Sequence, residues 1–338
     1  MRLHHLALII GLATAAELKA QGAVSPGYPP PGRLIDIGGR KLHLNCSGTG
    51  SPTVILVGGG GAYSIDWALI QARLDSTTRV CSYDRAGSAW SDAGPADETV
   101  EQTIADLHRL LREAGEPGPY LLVGASIGGI FIRAYQHTFP EDVAGLVFSN
   151  SSHKIGKFVP GKSGLLWDLS EADVRSAYPL PPSVTRGPAP TRVGEPFDRL
   201  PPELQAIRLR FELRRWETWD RTKAGPESDL SWRKEFLREF EERCSGAEHP
   251  LGAIPLIVVS GDPKPAQLEP PRLEDGSCRR EDAGDGLDLL SSNSLYLVAA
   301  GSGHEIHLYQ PAVLTKALIR GVLAIRTRTS LAGVPERR

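Results

Sequence analysis

The sequence predicts an α/β fold: a mostly parallel sheet with helices on both faces and a helical insertion. Three observations carry this. Eight short apolar runs rich in β-branched residues punctuate the chain, stretches of helical period alternate with most of them, and the alternation stops between residues 151 and 250. The first two runs, Leu34–Ile37 and Lys41–Asn45, flank Gly38-Gly39, a pair suited to a tight hairpin turn. Next come Val54–Val57, Arg79–Tyr83, Tyr120–Val123 and Val143–Phe148, and after the interruption Ile254–Ser260 and Ser294–Ala299. The clearest helix is Glu98–Ala114, with Val100, Ile104, Leu107 and Leu111 on one face and Gly115 as its stop. A hairpin followed by alternating β and α units implies parallel pairing with both faces covered.

The interruption is read as an insertion folding over the sheet. Its first half is Pro-rich, and its second half is helical and charged, at Pro202–Trp219 and Leu230–Arg243. It holds Trp167, Trp216, Trp219 and Trp232, four of the six tryptophans, so its helices are expected to present aromatic undersides and solvated charged faces. The organisation expected is a signal peptide over 1–22, a linker over 23–33, a core over 34–150 and 251–325, a cap over 151–250 and a flexible tail over 326–338.

The signal assignment rests on a short head with Arg2, His4 and His5, an apolar stretch Leu6–Leu12, and the small residues Ala13 to Ala16. This predicts an exported, periplasmic or secreted protein. That stretch is too short for a typical membrane span, and no later segment is long and apolar enough, so no stable membrane span is expected. A formal net charge of −2 over 338 residues gives no overall drive toward nucleic acid, and none is expected as a partner. Cys46, Cys81, Cys244 and Cys278 lack metal-ligand spacing, so no metal is expected, and in an exported chain they favour two disulfides. Sequence alone permits three pairings.

The chemistry centres on GASIGG, residues 124–129, between a strand-like and a helix-like run. Ser126 fits G-x-S-x-G, in which a sharp turn lifts the serine above the strand end and the flanking glycines let strand and helix cross closely. The N–H of Ile127, at the start of the helix, can then face a developing oxyanion.

From here the chain resembles the α/β-hydrolase family. The segment TVILVGGGGAYSIDW (53–67) looks like that family's strand and oxyanion loop, and VCSYDRAGSAWSD (80–92) is similar to its YDRxGxGxSD loop. The run VAGLVFSNSSH (143–153) resembles the strand before the cap, and GSGHEIHLYQP (301–311) resembles the histidine loop. The resemblance implies an eight-stranded α/β-hydrolase fold with a helical cap. It makes His304 the general base, with His307 the rival, a pocket-wall or surface histidine otherwise. Gly60 becomes the second oxyanion donor beside Ile127. For the acid, chain order favours Asp262 in SGDPKP; the alternative position after Val143–Phe148 holds Asn150, which cannot supply a negative charge. Many relatives carry His-Gly where this chain has Gly58 to Gly61. Asp84 and Arg85 are expected to brace the loop after their strand. The resemblance also makes the second and fourth strands neighbours, so Cys46 with Cys81 is a plausible bridge, leaving Cys244 with Cys278.

The expectation is an exported serine hydrolase cleaving a small-molecule carboxylic ester through Ser126, His304 and Asp262, without a cofactor. A proline-releasing aminopeptidase would need acidic cap residues such as Glu212, Glu217 and Asp220. Haloperoxidase-like and carbon–carbon bond hydrolases look alike at this level. A non-catalytic binding protein on a degraded hydrolase scaffold is the reading motivated by Asn150 and the absent loop histidine. The oligomeric state is left open.

Overall fold

The computed structural model describes residues 28–151, 159, 162–178, 187–218, 225–244, 248–261 and 286–334. The eight strands are β1 (Arg33–Asp36), β2 (Lys41–Ser47), β3 (Thr53–Val57), β4 (Val80–Tyr83), β5 (Tyr120–Ala125), β6 (Val143–Ser149), β7 (Leu256–Ser260) and β8 (Ser294–Val298). They form one sheet in the order β1-β2-β4-β3-β5-β6-β7-β8. The pairs β1/β2 and β2/β4 are antiparallel; the remaining pairs are parallel.

Alternation along the strands sorts side chains onto two faces. In β5, Tyr120 and Leu122 enter the apolar layer under α2 (Val100–Glu113) and α3 (Gly128–Thr138), with Ile104, Leu107, Phe131 and Tyr135. Leu121 and Val123 enter the opposite layer under α1 (Ala68–Leu74) and α8 (Pro311–Thr327), with Ile70, Leu74, Leu314 and Leu318. Helix α2 matches its predicted face. Its N-cap Thr99 accepts a bond from the Gln102 N–H, and Gly115 at φ 72° follows its C-terminus.

Cys46 and Cys81 stand directly opposite each other in the β2/β4 register and are joined by a disulfide. The bond fastens the amino-terminal hairpin to the parallel part of the sheet. Cys278 and the side chain of Cys244 lie outside the described residues, as do the 1–22 signal assignment, Trp219 and Asp262.

The segment between β6 and β7 carries α4 (Glu171–Ser176), α5 (Pro202–Glu217) and α6 (Pro226–Cys244). It is keyed to the core by reciprocal capping. The Asp97 carboxylate accepts from the N–H groups of Glu227 and Ser228 at the start of α6, each at 2.8 Å, while Ser231 of α6 accepts from the Val100 N–H that opens α2, at 3.0 Å. Phe211 of α5 packs on Tyr63 and Trp90, and Trp232 of α6 packs on Phe131.

Three expectations are corrected. The insertion's charges are not confined to solvated faces: Arg208, Asp229 and Glu235 are buried, Arg208 against Asp66 of the core, Asp229 under the Tyr178 hydroxyl and Glu235 beside Arg238 of its own helix. The linker expected over 23–33 ends before Arg33, and its last part is tied to the core. Arg33 opens β1, Gly32 sits so close to Leu44 that a Cβ would fall 2.1 Å from its carbonyl oxygen, and the Tyr28 carbonyl accepts from the Trp90 indole at 3.0 Å. The tail over 326–338 begins inside α8 and continues into a short turn, Leu331–Gly333, whose Leu331 and Val334 are buried in the second layer. These apolar side chains gain more by covering the sheet than the ordering of the backbone costs.

Candidate active site

Ser126 sits in the turn from β5 to α3 with φ 52°, a left-handed conformation that serine adopts only when the surroundings impose it. The surroundings are close backbone. A Cβ on Gly124 would meet Gly128 and Gly129 backbone atoms at 2.6 Å, and one on Gly128 would meet the Val57 carbonyl oxygen at 2.4 Å. Glycine at both positions therefore lets β5, α3 and the end of β3 converge. The Ser126 N–H donates to the Ser149 carbonyl at 3.2 Å, which ties the turn to β6.

The four-glycine loop after β3 meets this turn. A Cβ on Gly59 would lie 3.0 Å from the Ser126 Cβ and 3.6 Å from its Oγ, and one on Gly60 would lie 3.6 Å from Ile127 Cδ1. Gly60 and Ile127 thus face each other across the entrance to α3, with Gly59 against the serine itself. Arg85 holds the loop: its Nη1 donates to the Gly58 carbonyl at 2.6 Å and its Nη2 to the Gly59 carbonyl at 2.7 Å. Asp84 accepts from the Ser64 N–H at 2.7 Å, from the Ser64 hydroxyl at 3.1 Å and from His43 Nδ1 at 2.7 Å, all buried. Both residues brace, but what their side chains hold is the segment after β3, from Gly58 to Ser64, rather than the loop after their own strand.

His304 follows β8 on an exposed loop. Asn150 follows β6 with φ 46° and is pinned by its own N–H to the Val259 carbonyl at 2.8 Å. Its Nδ2 lies 3.2 Å from His304 Nδ1 and donates to the His304 carbonyl at 3.2 Å. The structure therefore brings together the alternative acid position and the predicted base. Asp262 lies outside the described residues. The residue before it, Gly261, abuts the histidine loop, where a Cβ would fall 3.1 Å from the Ser302 carbonyl oxygen.

His307 lies in α7 (Ile306–Tyr309) and is not a surface histidine. It is buried and stacks on Trp67 with ring centroids 4.5 Å apart, and its Nδ1 has no hydrogen-bond partner among the described residues. Burial, with the nearby Arg208 and His304 charges, pushes its pKa down to about 3.

Sequence reasoning missed the buried ion pair behind it. Arg208 of α5 donates to both oxygens of Asp66, at 2.6 and 2.5 Å, and its Nε lies 3.2 Å from Glu212. Burial raises the Asp66 carboxyl to about 6 against the pull of Arg208. The partners are 142 residues apart, so nothing local signals the pair. Glu212, one of the acidic residues an aminopeptidase would need, is engaged here. Between α6 and the core lies a cavity of about 340 Å³ bordered by Arg85, Glu98, Ile127, Phe131, Tyr178 and Trp232. Burial raises the Glu98 carboxyl in its wall.

Residues 52–311 match the family model described as alpha/beta hydrolase fold. An AB hydrolase superfamily protein of Gibberella zeae is 23% identical over 299 residues, 81% of this chain and 87% of that protein. A probable transporter of Hormonema carpetanum, efuK, is 35% identical over 156 residues, which are 44% of this chain but span 22% of that protein. Among solved structures, a thermophilic esterase from Thermogutta terrifontis superposes with a TM-score of 0.55 at 19% identity, over 85% of this chain and 94% of that one. At that identity the likeness is one of fold. The family match opens just before β3 and closes where α8 begins, taking in the serine turn, the glycine loop and the histidine loop, and the chain belongs to the alpha/beta hydrolase fold family.

Proposed function

We propose that the protein is an exported serine hydrolase that cleaves a small-molecule carboxylic ester. The observation that carries the reading is Ser126, held at φ 52° by close-packed glycine backbone against the four-glycine loop. Ser126 Oγ attacks the ester carbonyl carbon while His304 takes its proton, and the carbonyl π electrons move onto oxygen. The Gly60 and Ile127 N–H groups stabilise that oxyanion. As the oxyanion collapses, the carbon–oxygen bond breaks and His304 returns the proton to the leaving alcohol. Water then attacks the acyl-enzyme, His304 takes a water proton, and collapse returns that proton to Ser126 Oγ with release of the acid. Asp262 is proposed to orient His304; the contact of Gly261 with the histidine loop supports this. The cavity beside Ile127 is of a size for a small acyl or alcohol group.

Asn150 favours a second reading, a binding protein on a hydrolase scaffold, because an amide cannot stabilise an imidazolium by charge. A fluorophosphonate probe separates the two. Adduct at Ser126, absent in Ser126→Ala and suppressed in His304→Ala, is the expected result, with turnover of short-chain p-nitrophenyl esters. A folded, oxidised protein that gives no adduct, even with a smaller phosphonate, would sink the enzyme reading.

A further inference from the structure

We infer that Arg85 is a positioning residue that sets the direction of the oxyanion-binding N–H groups. The inference rests on the reading of Ser126 as nucleophile. Four consecutive glycines leave residues 58–61 with the widest backbone freedom any loop can have, and Gly61 already takes φ 68°. Among the described residues, the loop's own hold on the Gly58 and Gly59 carbonyls is one long bond, from the Ala62 N–H to Gly59 at 3.3 Å. Arg85 supplies the constraint from outside, through its two bonds to adjacent carbonyls, those of Gly58 and Gly59.

A trans peptide is planar, and its C=O and N–H point in opposite directions. The Gly58 carbonyl shares its peptide with the Gly59 N–H, and the Gly59 carbonyl shares its peptide with the Gly60 N–H. Fixing both carbonyls on the guanidinium therefore turns both N–H groups away from it. One of them is the proposed Gly60 donor; the other belongs to the residue that touches Ser126. The planar fork spans two carbonyls in a way a lysine ammonium does not. The charge also polarises the two peptides and strengthens their N–H groups as donors.

The guanidinium is itself placed by the nucleophile's helix. It lies over the Phe131 ring of α3, 5.2 Å from the centroid. One side chain thus links the loop after β4, the glycine loop and α3. Its pull on the transition state is indirect, since it acts on peptides that would contact the substrate.

The test compares wild type, Arg85→Ala and Arg85→Lys on a short-chain p-nitrophenyl ester. Alongside kcat and KM, it measures inhibition by an alkylboronic acid, whose boron takes the Ser126 Oγ lone pair to form a tetrahedral anion. For Arg85→Ala, kcat should fall about 100-fold with KM within about threefold, and the boronate should weaken by a similar factor. Arg85→Lys should recover only part, and millimolar guanidinium ion should restore activity to Arg85→Ala. Unchanged kcat and boronate affinity in a folded variant would overturn the inference. Should Arg85→Ala fail to fold, Arg85→Lys decides, with wild-type kcat and boronate affinity overturning it. Fluorophosphonate labelling separates this from failure of the underlying reading. Wild type that does not label at Ser126 defeats the nucleophile; wild type and Arg85→Ala that label equally fast defeat only the role of Arg85.

Discussion

Asn150 Nδ2 and His304 Nδ1 lie 3.2 Å apart, and the same Nδ2 donates to the His304 carbonyl. An amide opposite Nδ1 supplies no negative charge to stabilise the imidazolium that forms as His304 takes the Ser126 proton. A carboxylate at this position would instead accept from Nδ1–H. Asn150→Asp is therefore expected to raise kcat/KM for ester hydrolysis and to move its acid limb up by about one pH unit. A pH–rate profile of both forms checks it, and an unchanged profile would count against this contact governing the base.

The approach of Gly59 to the nucleophile predicts a localised defect. A methyl group in Gly59→Ala would sit 3.0 Å from the Ser126 Cβ and 3.2 Å from the Ala125 carbonyl oxygen, so the loop must give way. Activity should fall on the order of 100-fold, the loss typical of one displaced oxyanion donor. Melting temperature should change by only a few degrees. Steady-state kinetics beside thermal unfolding would show whether the defect is confined to the site.

The Asp66–Arg208 pair predicts non-additive stability. Arg208→Met leaves a buried carboxylate without its partner and should cost about 3–5 kcal/mol, whereas Asp66→Leu combined with Arg208→Met should recover much of that. Urea unfolding of the two single variants and the double variant measures the coupling. Equal and additive losses would mean that packing, not charge, joins α5 to the core.

His307 makes stability depend on pH. Its pKa is about 3 in the fold against an ordinary 6.5, so between those values the unfolded chain holds more protons. Its contribution is complete above about pH 6.5 and is lost as pH falls toward 3, on the order of 3–5 kcal/mol over the whole interval. Asp66, raised from 3.8 to about 6, acts in the opposite sense between those two values. The comparison is therefore wild type against His307→Gln. The variant should lose less stability between pH 6.5 and 4.5, as read by urea midpoints at each pH.

The centre of the sheet was legible in the sequence because its inner strands are buried on both faces and read as unbroken apolar runs, as in Val54–Val57 and Leu121–Val123. The serine turn was legible because only glycine fits on either side of it. Strand ends were less so. The predicted Ile254 start and Ala299 end lie outside β7 and β8, since apolar character continues past the last ladder pairing. The burial of His307 and the partner of Asp66 were not legible, because both depend on where α5 lands, and no periodicity within α5 encodes that. Arg85 was half legible: its place after β4 suggested bracing, but the carbonyls it holds are set by tertiary geometry.

The Cys46–Cys81 bond has a mechanical meaning. The hairpin β1–β2 forms one margin of the sheet, joined to the rest through a single seam with β4. A marginal hairpin is the part that ordinarily peels first and offers its edge to proteases or to a neighbouring chain. Here the seam is riveted at the pair Cys46 and Cys81, within the four paired positions that make it up. Peeling can loosen β1 and the start of β2, but it stops at the rivet.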